Sequence, residues 1–291
     1  MSKEVTEYPV VWLQAAACTG CSISLLNTAS PTIKNILIDE LIPGKHVSLR
    51  VHPNVMGGSG EQVIELLEKT AQEKGRYILV VEGAVPTAED AVYGAVGEKD
   101  GKPVSMLERV KTLGENALAV LSVGTCAAYG GLPAGKPNPT GCKSVTEVFK
   151  EYGINTPVIN IPGCPPHPDW FVGVVAQVVI YGIPGPEAFD DFGRPLLFFG
   201  NLIHENCPRR AYFDEGKFAK KQGDPQCLYE VGCRGPIAYA DCPTRMWNNG
   251  KNWCIGSGAP CSGCTQPEFP DFVSSFFEKI TDDDLPNIGE E

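Results

Sequence analysis

No stretch of the 291-residue sequence approaches the ~18 consecutive apolar residues that a membrane-crossing helix needs. Residues Met1 to Tyr8 are polar and the first apolar run opens at Pro9, so the charged-then-apolar pattern of a secretory signal is missing too. The chain is therefore expected to be soluble, with no transmembrane segment: cytoplasmic as written, periplasmic if it is a processed form. There is no basic stripe, and the net charge of -11 opposes phosphate binding, which excludes a nucleic-acid partner. Nucleotide signatures also fail. No G-x-G-x-x-G follows a strand-like run, and Gly57-Gly58-Ser59-Gly60 lacks the Lys-Ser/Thr of a P-loop. Internal repeats and the ferredoxin run C-x2-C-x2-C-x3-C-P are likewise absent.

What is present is an ordinary globular composition, 43% hydrophobic and 20% charged, with length enough for two domains at roughly 150 residues each. The 12 cysteines stand out. In a secreted chain they could pair as disulfides. A sequence this apolar builds a core without staples, however, and Cys18-Thr19-Gly20-Cys21, His204-Glu205-Asn206-Cys207 and Cys261-Ser262-Gly263-Cys264 carry metal-ligand spacing.

Apolar runs at Val10–Gln14, Val47–Val51, Tyr77–Val81, Ala117–Val123 and Val158–Ile161 read as strands. Helical patterns at Ser22–Thr28, Glu61–Lys74, Met106–Leu113, Ser144–Tyr152 and Asp169–Ile180 alternate with them. This alternation predicts an α/β fold, a doubly wound parallel sheet with right-handed crossovers. After Ile183 prolines multiply and periodic segments fade, while seven of the 12 cysteines lie beyond that point. The division expected is 1–183 and 184–291, the second unit irregular and organised by metal clusters. Asp282–Glu291 is expected to be a loose acidic tail.

In an open parallel sheet all strand carboxyl ends share one edge, where ligands bind. Cys18 and Cys21 follow the first strand, Cys126 the fourth, and Cys164, in Pro162-Gly163-Cys164-Pro165-Pro166, the fifth. Four thiolates can thus converge there, the number a 4Fe–4S cube requires, with adjacent glycines allowing close backbone approach and helix N-termini adding positive potential. His204, Cys207, Cys227 and Cys233 offer one imidazole and three thiolates, fit for a cluster or a zinc ion. Cys242, Cys254, Cys261 and Cys264 suit a cube or a structural zinc, with Trp247, Trp253, Phe269 and Phe272 to keep the site dry. Cys142 is left as an ordinary thiol, and His46, His52 and His167 are not expected to be ligands. His167 sits close enough to Cys164 in sequence for a hydrogen bond near that site. Glu82, near the strand-end edge, is expected to cap a helix rather than move protons.

Six motifs in order, spread from Val10 to Phe272, resemble those of the nickel–iron hydrogenase small subunit. They are Val11-Trp12-Leu13-Gln14 with Cys18-Thr19-Gly20-Cys21-Ser22, Glu82-Gly83-Ala84-Val85-Pro86, and Gly124-Thr125-Cys126-Ala127-Ala128-Tyr129-Gly130-Gly131. The others are Pro162-Gly163-Cys164-Pro165-Pro166-His167-Pro168, His204-Glu205-Asn206-Cys207-Pro208, and Cys261-Ser262-Gly263-Cys264-Thr265-Gln266-Pro267-Glu268-Phe269. The resemblance implies a flavodoxin-like N-terminal domain and a C-terminal iron–sulfur domain. It carries Cys18, Cys21, Cys126 and Cys164 over as proximal 4Fe–4S ligands. His204, Cys207, Cys227 and Cys233 become distal 4Fe–4S ligands, in place of zinc, and Cys242, Cys261 and Cys264 match the medial cluster.

The nickel–iron centre belongs to a separate large subunit, so no catalytic residue is expected in this chain. Many members of the family place proline where Cys254 stands and hold a medial 3Fe–4S cluster. The fourth thiolate here implies a medial 4Fe–4S, as in the nickel–iron–selenium branch. Oxygen-tolerant relatives carry an extra cysteine at the place of Gly20, so an ordinary proximal cube is expected. Membrane-bound relatives add a C-terminal transmembrane helix, which this chain is not expected to have.

The expected function is therefore the electron-transfer subunit of a hydrogenase heterodimer holding three 4Fe–4S clusters, with a cytochrome c or ferredoxin type of external carrier. A free-standing multi-cluster ferredoxin-like carrier is the rival. A related complex I-type or sensor subunit is a third reading, but those relatives usually lack the full second set of ligands seen here.

Overall fold

The computed structural model describes residues 5–37, 43–270 and 278–279. Five strands form one sheet: β1 (Thr6–Gln14), β2 (Lys45–Val51), β3 (Ile78–Glu82), β4 (Ala119–Val123) and β5 (Val158–Ile161). Every pairing is parallel and the order is β2-β1-β3-β4-β5. This is the flavodoxin-like order for a doubly wound sheet.

Both faces of the sheet are covered, and alternate residues of each strand feed opposite sides. Trp12, Ile78, Val80, Leu121, Val123, Ile159 and Ile161 share one apolar cluster. Val11, Leu13, Leu79, Val81 and Val120 share the other. Helices α2 (Glu61–Ala71), α3 (Met106–Gly114) and α5 (Val145–Tyr152) close the second face through Ile64, Leu67, Val110, Leu113, Val148 and Phe149. A Cβ on Gly114 would stand 2.3 Å from Phe149 Cζ, so glycine is what lets α3 and α5 approach. Ser144 caps α5 with a reciprocal Ser144–Glu147 capping box.

Helix α6 (Pro168–Tyr181) covers the first face with Trp170, Phe171, Val174, Val175 and Val178. It is apolar nearly all round, as befits a helix buried on two sides. Its outer side meets the C-terminal half, which contributes Phe198, Phe199, Ile203, Leu228, Ala238, Ala240, Trp253 and Ile255 to the same cluster. That half is irregular as expected. Its longest described helix is Arg210–Asp214, and it pairs backbone only through isolated bridges.

Several boundaries differ from expectation. β1 begins at Thr6 rather than Val10, because Thr6 to Pro9 pair with Lys45 to Ser48 although Thr6 and Glu7 are exposed and Tyr8 is only half-buried. The second helix stops at Ala71, and the first runs Gly20–Leu25 (α1), starting and ending earlier than the expected Ser22–Thr28. An antiparallel hairpin, Ala95–Lys99 with Lys102–Ser105, was not expected, and it turns on Asp100-Gly101 with both φ angles positive. The expectation for Asp282–Glu291 lies outside the described residues, as does Phe272. Among the described residues no helix is long and apolar enough to cross a membrane.

Leu121 is fully buried in the central sheet, so Leu121→Ala should cost about 2–5 kcal/mol. Ser144→Ala removes only a cap and should cost about 1 kcal/mol. Thermal unfolding of the two variants should rank them in that order.

Candidate iron–sulfur sites

The first set forms where three strands end. After β1 the chain pairs Ala16 with Ala84, then Thr19 takes a left-handed φ of 67° and starts α1, which carries Cys21 in its first turn. After β4, Gly124 leads into α4 (Thr125–Tyr129), which carries Cys126. After β5, Pro162 and Gly163 lead to Cys164. Gly124 has φ +89°, and a Cβ there would fall 2.5 Å from the Cys21 sulfur. Only glycine leaves that sulfur its place. The Gly20 N–H points at the Cys18 sulfur, 3.4 Å away.

Electrostatics shows the convergence. Burial first, then the Glu82 carboxylate, then Cys126, Cys18 and Cys164 push the Cys21 thiol far up. Cys126 is pushed up to about 12, by burial and then Cys164, and Cys164 is raised by burial and then Cys18. Four sulfurs crowded this way disfavour thiolates unless positive charge joins them, and iron would supply it.

Beneath this set lies a buried polar knot. Glu82, at the end of β3, accepts hydrogen bonds from Trp12 Nε1 (3.0 Å), Gln14 Nε2 (3.1 Å), the Cys21 N–H (3.1 Å) and the Ser22 N–H (3.4 Å). The Ser22 hydroxyl also donates to it, and Ser22 Oγ meets His52 Nε2 at 3.2 Å. Glu82 therefore caps α1 from a neighbouring strand, the role expected of it, and fixes the turn that carries Cys21. The contributions of Ser22 and His52 had no local sequence signal.

In the second set, His204, Cys207, Cys227 and Cys233 line one small pocket. The bonds Ile203 N–H to Ala238 O (2.8 Å) and His204 N–H to Gly235 O (3.1 Å) pin the histidine turn, and Ala219 N–H to Cys227 O (2.8 Å) pins the other side. His204 Nε2 is buried without a hydrogen-bond partner, and the ring lies edge-on to Phe213 at 4.5 Å. Burial, followed by the Arg210 charge, lowers the imidazole pKa and keeps the ring neutral. A neutral ring whose buried nitrogen has no hydrogen-bond partner, lining one pocket with three thiols, has the chemistry of a metal donor. Burial pushes Cys233 up to about 11 and also raises Cys207 and Cys227.

Cys242, Cys254, Cys261 and Cys264 make the third set. Burial and then Cys264 and Cys254 raise Cys242, while Cys264 is pushed up to about 12 by burial, with Cys254 adding to it. Trp253 is buried in the same apolar cluster as Cys261, and Phe269 is buried as well. This set touches both others. The Cys261 N–H points at the Cys233 sulfur at 3.4 Å. On the opposite side, Thr125 Oγ1 donates to the Cys264 carbonyl and accepts from the Gly163 N–H at 2.9 Å. The three sets therefore form a row with Cys242, Cys254, Cys261 and Cys264 in the middle.

All 12 cysteines are free thiols. Among the described residues no three His, Cys, Asp or Glu side chains are gathered closely enough for a single metal ion. A 4Fe–4S cube holds four ligands around a larger body. Cys142 is buried apart from the three sets, its sulfur 3.2 Å from Thr140 Oγ1. His46 stands in β2 opposite Glu7. His167 bonds to neither Cys164 nor its neighbouring prolines, although its Nδ1 accepts from the Asp169 N–H at 3.1 Å. Its Nε2 meets the Met246 carbonyl at 2.7 Å instead.

Comparison with known proteins agrees with this geometry. A family model describing the C-terminal part of the NiFe/NiFeSe hydrogenase small subunit matches residues 199–277, and one described as NADH ubiquinone oxidoreductase, 20 Kd subunit, matches residues 18–178. The periplasmic [NiFeSe] hydrogenase small subunit of Desulfomicrobium baculatum is 46% identical, the match covering 95% of this chain and 89% of that one. The periplasmic [NiFe] hydrogenase small subunit of Solidesulfovibrio fructosivorans is 40% identical, over 93% and 81%. A crystal structure of the reduced, active Ni-Fe-Se hydrogenase from Desulfomicrobium baculatum superposes with a TM-score of 0.87 at 46% identity, covering 94% of this chain and all of that one. With its parallel sheet, its cysteine-rich C-terminal half and these relatives, the chain belongs to the small-subunit family of nickel–iron and nickel–iron–selenium hydrogenases, the electron-transfer subunits of those enzymes.

Proposed function

We propose that this chain relays electrons through three 4Fe–4S clusters between a hydrogenase large subunit and an external carrier. The proximal cluster sits on Cys18, Cys21, Cys126 and Cys164, the medial on Cys242, Cys254, Cys261 and Cys264, and the distal on His204, Cys207, Cys227 and Cys233. The observation that carries this reading is the row of donor sets, linked at Thr125–Cys264 and at Cys261–Cys233. The relay divides into a sheet domain, 1–183, holding the proximal set, and a C-terminal unit, 184–291, holding the other two.

Oxidation of H2 in the large subunit yields two protons and two electrons, and clusters held by these residues would supply one-electron carriers for them. The residues of this chain space the sites, exclude water and tune potential. N–H groups at Gly20, Cys261 and Gly263 face ligand sulfurs and stabilise added negative charge. The neutral imidazole of His204 leaves the distal site one charge less negative than a four-thiolate site, which raises its potential. Cys254 supplies the fourth medial thiolate that a fourth iron needs.

The two ends of the row meet different partners. Cys18 and Cys164 are exposed, and Ile23, Leu26, Val92, Tyr93 and Leu132, each at least 48% exposed, follow the same strand ends. This apolar edge suits the large subunit. At the other end the distal site hands electrons to a carrier of cytochrome c or ferredoxin type. Of the two compartments considered, the periplasm is supported by the relatives, which are named periplasmic enzymes, and the cytoplasm is not.

Purification of the native complex should recover a larger partner containing nickel. A monomer with full cluster content and no such partner would instead identify a free-standing carrier. Electron paramagnetic resonance of the oxidised protein should lack a stoichiometric 3Fe–4S signal, and Cys254→Pro should produce one. Replacing His204 with cysteine adds a thiolate and should lower the distal potential in a redox titration, leaving the proximal couple in place.

A further inference from the structure

A buried guanidinium grips the residue that follows a medial ligand. Arg194, only 2% exposed, closes a loop that the sheet holds in place: Asn160 in β5 donates its N–H to the Gly193 carbonyl at 3.0 Å and its Nδ2 to the Phe192 carbonyl at 2.8 Å. A buried cation is costly unless it is paired. Asp190 supplies the pair, its Oδ2 accepting from Arg194 Nε at 2.6 Å and its Oδ1 from the Phe192 and Arg194 N–H groups at 3.0 and 2.9 Å. The rings of Phe192, Tyr239 and Phe199 flank the guanidinium, their centroids 5.1, 5.7 and 5.8 Å from its carbon. The other end of the fork reaches the medial segment. Nη1 donates to the Thr265 carbonyl at 3.1 Å and, at 3.2 Å, to the Gln266 amide oxygen, which also accepts from the Tyr239 N–H at 2.8 Å. Thr265 follows Cys264 directly, and Tyr239 lies three residues before Cys242. The Cys264 carbonyl is itself held by Thr125.

We infer that Arg194 is a positioning residue of the medial cluster whose buried charge also raises the potential of that cluster. It touches no medial ligand itself. Its fork holds the peptide after Cys264, and consecutive Cα atoms are only about 3.8 Å apart. Reduction makes a cluster one charge more negative, so a fixed cation in a dry, low-dielectric interior attracts the reduced form more strongly. Asp190 offsets part of that attraction. Its side chain is 18% exposed against 3% for Arg194, however, so water screens the carboxylate more than the guanidinium. The carboxylate also occupies the Nε edge, which leaves Nη1 as the positive end of the pair at Thr265. The inference rests on the assignment of Cys242, Cys254, Cys261 and Cys264 as medial ligands.

The test is a redox titration of the purified complex, following the proximal and medial couples separately by electron paramagnetic resonance. Arg194→Gln keeps a donor and removes the charge. It should shift the medial couple to lower potential, and by more than the proximal couple. Arg194→Lys keeps the charge and should restore most of that shift. Asp190→Asn removes the opposing charge and should move the medial couple the other way, to higher potential. A role confined to shaping the loop predicts no such change of sign. Shifts in the same direction for Arg194→Gln and Asp190→Asn, a medial couple unmoved in Arg194→Gln, or a larger shift of the proximal couple would overturn the inference. Should Arg194→Gln not assemble, Asp190→Asn at the wetter end of the pair decides, and a medial couple left in place or lowered there counts against the inference. A wild-type complex without any medial signal would overturn the ligand assignment as well, which separates the two failures.

Discussion

Parallel hydrogen bonding is the constraint from which the rest descends. Strands that all run one way end on one edge, so three loops far apart in sequence meet without any long-range search by their side chains. The same pairing demands cover on both faces. Helices α2, α3 and α5 provide it on one side, and α6 with the C-terminal half on the other. The cysteine-rich half is thereby pressed against the sheet, close enough that Thr125 on one side and Cys264 on the other share a hydrogen bond. A row of donor sets follows from how a two-sided sheet is covered.

Burial of so many thiols has an electrostatic consequence. Without metal each set prefers to hold its protons, since burial and neighbouring sulfurs both raise the thiols. Metal loading must displace those protons, so the energetics of folding and of cluster assembly are joined. Glu82 is buried among donors instead. Its carboxyl oxygens accept from Trp12, Gln14, Cys21 and Ser22, so its hydrogen-bonding needs are met by a ready-made cradle.

Much of this is legible in the sequence. The sheet strands buried on both faces are continuous apolar runs, and those runs give β3, β4 and β5 to within a residue or two. Cys18, Cys21, Cys126 and Cys164 are legible as a set because strand ends fix where they meet. Cys227, Cys233, Cys242 and Cys254 are less so, since irregular backbone gives their spacing no geometric meaning and they are grouped by chain order and by family resemblance alone. The first residues of β1 are hidden because their side chains stay partly exposed and only backbone pairing makes them a strand. The hairpin at Asp100-Gly101 carries its signal in that dipeptide, which an alternation of apolar strands and helices does not capture. His167 shows the limit most clearly: sequence neighbourhood puts it beside Cys164, yet its ring turns toward Met246, 79 positions away.

Helix α6 has a further consequence. Its apolar residues face the sheet and the C-terminal half at once, with Trp170, Phe171, Val174 and Val178 in one continuous cluster. The two halves consequently share a wall rather than abutting as separate blocks. Cutting the chain after α6 would leave a wide greasy surface on the N-terminal piece and strip the C-terminal piece of its floor. Evolution can therefore lengthen or decorate the outer loops freely, but it cannot trade one half for another without redesigning the helix between them.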